Sequence, residues 1–91
     1  MEKIRKRITF YGRVQGVGFR YHARFAADRY GLTGWVKNEY DGSVTMEVQG
    51  DEAAIDMLIG DLCGDRYIIV EEFNSKTIPV DPEERRFLVT G

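Results

Sequence analysis

The sequence has one cysteine, Cys63, one histidine, His22, and two prolines in 91 residues. A lone cysteine excludes an intrachain disulfide and any zinc site built from several thiolates. No apolar run approaches the roughly 20 residues that a membrane-spanning helix needs. The basic start Met1-Glu2-Lys3-Ile4-Arg5-Lys6-Arg7 is not followed by the apolar segment of a secretory signal. The expected location is the cytoplasm, with no membrane partner, and Cys63 reads there as a small buried residue near a helix end. Neither sign of charge dominates: 13 Lys and Arg stand against 15 Asp and Glu, a formal net charge of −2. A general nucleic-acid binder carries a strongly basic face, so no nucleic-acid partner is expected.

What is present is an ordinary globular composition, 43% hydrophobic and 31% charged, enough for one domain over residues 1–91 with one modest core. At this size and charge the chain is expected to be a monomer. From Ile4 to Val14 the apolar Ile8, Phe10 and Val14 alternate with Arg7, Thr9, Tyr11 and Arg13, the period of a half-buried strand. From Phe19 the period changes: Phe19, Ala23, Ala26, Ala27 and Tyr30 fall on one helical face, and Gly31 is placed to end the helix. Leu32 to Lys37 reads as a second strand, Asp41-Gly42 as a hairpin turn, and Ser43 to Gln49 as a third strand with Val44, Met46 and Val48 inward. Asp51 is placed to cap a second helix with the face Ala54, Ile55, Leu58, Ile59 and Leu62, stopped by Gly64. Gly60 within it marks either a close approach or a weak spot. A fourth strand is expected from about Arg66 to Phe73, then a loop with Pro79 and Pro82, then a short strand around Phe87-Leu88-Val89. This is an α+β pattern, β-α-β-β-α-β with a short extra C-terminal strand, two helices on one face of an antiparallel sheet.

The stretch Gly12-Arg13-Val14-Gln15-Gly16-Val17-Gly18-Phe19-Arg20 joins the first strand to the first helix and holds three glycines in seven positions. A helix N-terminus carries partial positive charge and unpaired N–H groups, so Arg20 is badly placed unless an anion sits against it. Glycines let the backbone come close to such an anion. Loop amides, a helix start and a guanidinium together describe a phosphate cradle. The loop is neither a dinucleotide fingerprint, since Tyr21 stands where glycine or alanine belongs, nor a P-loop, which would need Gly-Lys-Ser/Thr where Phe19-Arg20-Tyr21 stands. No serine, threonine or cysteine lies between Gly12 and Arg20, so a phospho-enzyme formed in this loop is not expected and water is left as the nucleophile.

Asn38, at the end of Gly34-Trp35-Val36-Lys37-Asn38, offers a carboxamide that can both donate to and accept from a water but cannot act as a strong base. Without a base or an acid, hydrolysis is easy only when a stable anion leaves and the transition state is loose. A carboxylate leaving from a carboxylic–phosphoric anhydride meets that requirement; an alkoxide does not.

Paired at this distance, the runs Gly12 to Arg20 and Gly34 to Asn38 resemble the acylphosphatase family, and the similarity extends over essentially the whole chain. The resemblance implies a ferredoxin-like sandwich and metal-independent hydrolysis of small acyl phosphates, with no cofactor. Carried onto matching positions, it implies that Arg20 binds the phosphoryl group with the backbone amides of Gln15, Gly16, Val17, Gly18 and Phe19, and that Asn38 positions the water. The chain departs from common members at Glu39, where many have threonine and where a carboxylate would add negative charge near the anion. It departs again at Phe87-Leu88-Val89-Thr90-Gly91, which lacks their frequent terminal aromatic. A similar domain occurs in larger carbamoyl-transfer maturation proteins; without their zinc-finger and downstream domains, a free-standing enzyme is expected. The alternative is a non-catalytic ferredoxin-like module binding a phosphate-bearing ligand or RNA. The open face offers Thr45, Glu47, Gln49 and Tyr11, not the aromatic set of such RNA binders. His22 reads as structural or surface, Trp35 and Tyr11 as core or rim, and Glu71-Glu72 and Glu83-Glu84-Arg85-Arg86 as solvated charge.

Overall fold

A computed structural model describes residues 2–91, so Met1, the first residue of the expected domain, lies outside the described residues. The elements are β1 (Ile4–Arg13), α1 (Phe19–Tyr30), β2 (Thr33–Asn38), β3 (Val44–Gly50), α2 (Glu52–Cys63), β4 (Ile69–Ile78) and β5 (Phe87–Thr90). They form one sheet in the order β4-β1-β3-β2-β5, with both helices packed on one face. Four strands pair antiparallel, as the sequence implies, whereas β5 runs parallel to β2. The direction follows from topology. β4 and β5 lie at opposite edges, and residues 79–86 cross the sheet between them. The chain enters β5 at the end of the sheet where β4 stops, so β5 must run opposite to β4, which is the direction of β2.

The helix-side core has the expected alternation. Ile8 and Phe10 of β1, Val36 of β2, and Val44, Met46 and Val48 of β3 are fully buried against Phe19, Ala23 and Ala27 of α1 and Ile55, Leu58 and Leu62 of α2. Burial of each large apolar side chain is worth about 1.5–3 kcal/mol, so this layer is the main stabilising term. Gly31 takes the left-handed conformation and donates its N–H to the end of α1, while the Asp51 carboxylate accepts from the Ala53 N–H at the start of α2. Nothing lies within 4 Å of a Cβ built on Gly60, so it marks the weak spot rather than a close approach.

Three expectations are corrected. The fourth strand begins at Ile69, not Arg66, because the Asp65 carboxylate accepts from the N–H groups of Tyr67 (2.8 Å) and Ile68 (3.2 Å) and holds that segment in a turn. It also runs on past Phe73 to Ile78, paired only with β1 and largely exposed, so its polar end shows no alternation. Cys63 is exposed rather than buried, although partial burial still pushes its thiol pKa up.

The third correction concerns Glu84, which is not solvated charge. The crossing segment lies on the sheet face away from the helices, where Glu84 accepts from Arg5 Nη1 (2.9 Å), Arg5 Nη2 (3.2 Å) and Thr33 Oγ1 (2.8 Å). Arg5 also donates to Glu47 and Gln49, and Gln49 exchanges two hydrogen bonds with the Asp81 backbone. Burial works against the Arg5 charge, but the hydrogen bonds and fields of Glu84 and Glu47 outweigh it and raise its pKa. Removing Glu84 takes one of two carboxylates from Arg5 and leaves it Glu47 and Gln49. Glu84→Ala is therefore expected to lower the unfolding free energy by about 2 kcal/mol, the scale of lost hydrogen bonds to a charged group. Urea unfolding would check this; a loss under about 1 kcal/mol would mean that the pair behaves as a surface one.

Candidate active site

The loop from Gly12 to Arg20 begins at a break in the β1–β4 ladder, where the register shifts between Tyr11 and Gly12. Gly12 has φ 127°, and a Cβ there would lie 2.2 Å from the Ile69 carbonyl oxygen, so no other residue fits. Val14 is 1% and Phe19 2% exposed, and the Phe19 ring sits 4.9 Å from that of Phe10, so both ends of the loop are anchored in the core. Between them Gly16 (φ 74°) and Gly18 (φ 80°) turn the chain through the left-handed region. The first helical bond of α1 is His22 N–H to the Gly18 carbonyl, and the backbone N–H groups of Gln15, Gly16, Val17, Gly18 and Phe19 donate to no backbone acceptor among the described residues. The first turn of α1 contains no acidic residue.

Arg20 follows directly. Its Nη1 donates to the main-chain oxygens of Thr90 (3.3 Å) and Gly91 (3.0 Å), which aims the guanidinium. Asn38 ends β2 opposite Val44, two strands from β1. A cavity of about 110 Å³ is lined by Val14, Gly16, Gly18, Phe19, Arg20, Tyr21 and Asn38. The fold thus brings Arg20, the loop and Asn38 together. It does not bring the side chains of Gln15 and Val17 to that cavity. Val17 packs against the core, and Gln15 Nε2 donates to the carbonyls of Glu39 (2.8 Å) and Ser43 (2.9 Å).

Other residues lie apart. His22 is half-exposed, with Nδ1 3.4 Å from Asp65 Oδ2, and faces a larger groove of about 470 Å³ between the helices that also takes in Phe25, Arg29, Asp61 and Arg66. That groove is bigger, but Arg29 lies across it 3.7 Å from Asp61, and it contains neither Arg20 nor Asn38. Trp35 lies under the Arg7 guanidinium (5.7 Å) and the Lys37 ammonium (6.0 Å), away from the cavity. Among the described residues there is no group of three or more His, Cys, Asp or Glu arranged to hold a metal ion. Asp41 accepts from the Ser43 hydroxyl (2.6 Å) and N–H (3.0 Å), which holds its carboxyl below the usual range and shapes the turn beside Asn38. The main-chain oxygens of Thr90 and Gly91 escaped the sequence reading. They are backbone groups some 70 residues from Arg20, and no side chain announces them.

Comparison with known proteins decides the family. The model of the Acylphosphatase family matches residues 6–89. The chain belongs to the acylphosphatase family. Members of that family are enzymes. An acylphosphatase of Clostridium acetobutylicum is 41% identical over 83 residues, covering 90% of this chain and 91% of the relative. The crystal structure of an acylphosphatase from Bacillus subtilis superposes with a TM-score of 0.88 at 34% identity, covering 97% of this chain and 99% of that one. The crystal structure of full-length HypF in its phosphate- and nucleotide-bound form matches with a TM-score of 0.89 at 28% identity, over 99% of this chain but 12% of that one. The acylphosphatase fold expected from the two motifs is thus the fold observed.

Within this acylphosphatase frame Glu39 has a specific neighbour: its carboxylate lies 4.0 Å from Lys37 Nζ and does not line the cavity. The cation offsets the charge that the sequence alone would set beside the anion. Glu39→Thr is expected to change the inhibition constant of inorganic phosphate by less than about threefold, the scale of a part-exposed charge pair. Inhibition assays on both proteins would check it, and a tenfold tightening would restore the carboxylate to a direct role.

Proposed function

We propose that this acylphosphatase hydrolyses small acyl phosphates to a carboxylate and inorganic phosphate by direct in-line attack of water, without a metal ion. The observation that carries the reading is the single cavity lined at once by loop glycines, Arg20 and Asn38. The amides of Gln15, Gly16, Val17, Gly18 and Phe19 and the Arg20 guanidinium surround the phosphoryl oxygens and stabilise the charge they carry in the transition state. Asn38 holds a water in line with the bond to be broken, with one hydrogen bond donated and one accepted. The water oxygen bonds to phosphorus, the bond from phosphorus to the acyl oxygen breaks, and the carboxylate leaves with the electron pair. Both water hydrogens end on the phosphate, which is released as dihydrogen phosphate. A carboxylate needs no proton to leave, and a loose transition state needs little from a base, so a cavity lined, among the described residues, by no Asp, Glu or His side chain is consistent with this chemistry.

The reading includes a single domain over residues 1–91 that acts as a cytoplasmic monomer on a small-molecule substrate, with no nucleic-acid or membrane partner. No helix among the described residues is long and apolar enough to cross a membrane.

Benzoyl phosphate hydrolysis tests the assignment. Arg20→Gln and Asn38→Ala are each expected to lower kcat by about 10²-fold or more, the scale of losing a charge-stabilising donor or the placement of a reactant. A near-native rate in either variant removes that residue from the mechanism. Added chelator is expected to leave the rate unchanged, and a chelator-sensitive rate restored by a divalent ion would contradict the metal-free reading.

A further inference from the structure

We propose that Gln15 is a positioning residue for hydrolysis, its side-chain amide tying the anion loop to the strand end that carries Asn38 and so setting the distance from phosphorus to the attacking water. The inference rests on the role of Asn38 proposed above. Both N–H groups of one carboxamide have an acceptor, the carbonyls of Glu39 at 2.8 Å and Ser43 at 2.9 Å. Glu39 directly follows Asn38, and Gln15 directly precedes Gly16.

The turn that presents these carbonyls is braced from within. Glu39 N–H donates to Ser43 O at 2.8 Å and Gly42 N–H to Glu39 O at 3.3 Å, while Asp41 holds the Ser43 hydroxyl and N–H. The loop has no such bracing. It passes through two left-handed glycines, and its backbone N–H groups from Gln15 to Phe19 find no backbone acceptor among the described residues. Burial of Val14 and Phe19 anchors its ends but does not fix its distance from β2. The polar link supplied by Gln15 does. A cradle and a water held by two separate elements must keep their spacing, since a displacement of about 1 Å can cost on the order of 10²-fold in rate.

A purely structural Gln15 would act on the loop alone, and its loss would weaken anion binding. A positioning Gln15 acts through Asn38. The test is a double-mutant cycle of wild type, Gln15→Met, Asn38→Ala and the double variant. It is read by kcat and KM for benzoyl phosphate and by competitive inhibition by inorganic phosphate, with urea unfolding to verify folding. Gln15→Met is expected to lower kcat about tenfold, with phosphate inhibition changed by less than about threefold; in the Asn38→Ala background it should change kcat by less than about twofold. Effects that multiply in the double variant, or phosphate inhibition that weakens in step with kcat/KM, would overturn the proposal. Should Gln15→Met not fold, Gln15→Leu, neutral and without donors, is expected to give the same pattern; failure of both to fold would assign Gln15 to stability and overturn it as well. A native rate in Asn38→Ala alone would remove the role of Asn38 and this inference with it, whereas a large Asn38 effect beside an additive cycle would remove only this inference.

Discussion

An anion site made of main-chain amides must leave those amides without protein partners, and a segment without internal hydrogen bonds has little to hold its shape. This conflict governs the molecule. The N–H groups of the loop before α1, from Gln15 to Phe19, find no backbone acceptor among the described residues, and the loop is shaped from outside instead. Buried Val14 and Phe19 hold its ends, Gly12 lets the Ile69 carbonyl come close, and the Gln15 side chain reaches the β2–β3 turn. The energy of the core, not of local hydrogen bonding, keeps the cradle open.

The same logic applies to the guanidinium. Arg20 sits where the helix dipole opposes it. Main-chain oxygens of Thr90 and Gly91, at the end of β5 and just past it, direct it. Those oxygens are in place because the chain crosses the whole sheet after β4, and that crossing is held by Glu84 and Asp81 against Arg5 and Gln49 on the face opposite the helices. A cluster of polar side chains far from the cavity therefore supports the aim of Arg20. Membership of the acylphosphatase family and the match to the Bacillus subtilis structure agree with this arrangement of elements.

Much was legible in the chain because the relevant signals are local. The change from period two to a helical period at Phe19, the glycine stops and the Asp51 cap each involve residues within one or two turns, and both helices lie where they imply. The Gly12–Arg20 run and Asn38 were singled out because the two motifs together resemble the acylphosphatase family, not because either signals the other. Signals failed where the environment was set by distant residues. β4 pairs only with β1 and faces solvent, so its polar half carries no alternation. Glu84 sits in a charged run that looks solvated until β1 and β2 supply Arg5 and Thr33. Cys63 follows the last buried position of α2 and turns outward.

By itself the sequence determined where the backbone could turn through the left-handed region before α1, since glycines at 16 and 18 act through a conformational freedom that needs no neighbour. Only the tertiary structure decided that Gly12 meets the Ile69 carbonyl, that Asn38 shares a cavity with Arg20 and the loop glycines, that β5 runs parallel to β2 and brings two main-chain oxygens to Arg20, and that the Gln15 side chain turns to the hairpin. The physical reason is range: turn and helix preferences are fixed within a few residues, whereas the meeting of β1, β2 and β5 depends on burial and pairing between segments tens of residues apart.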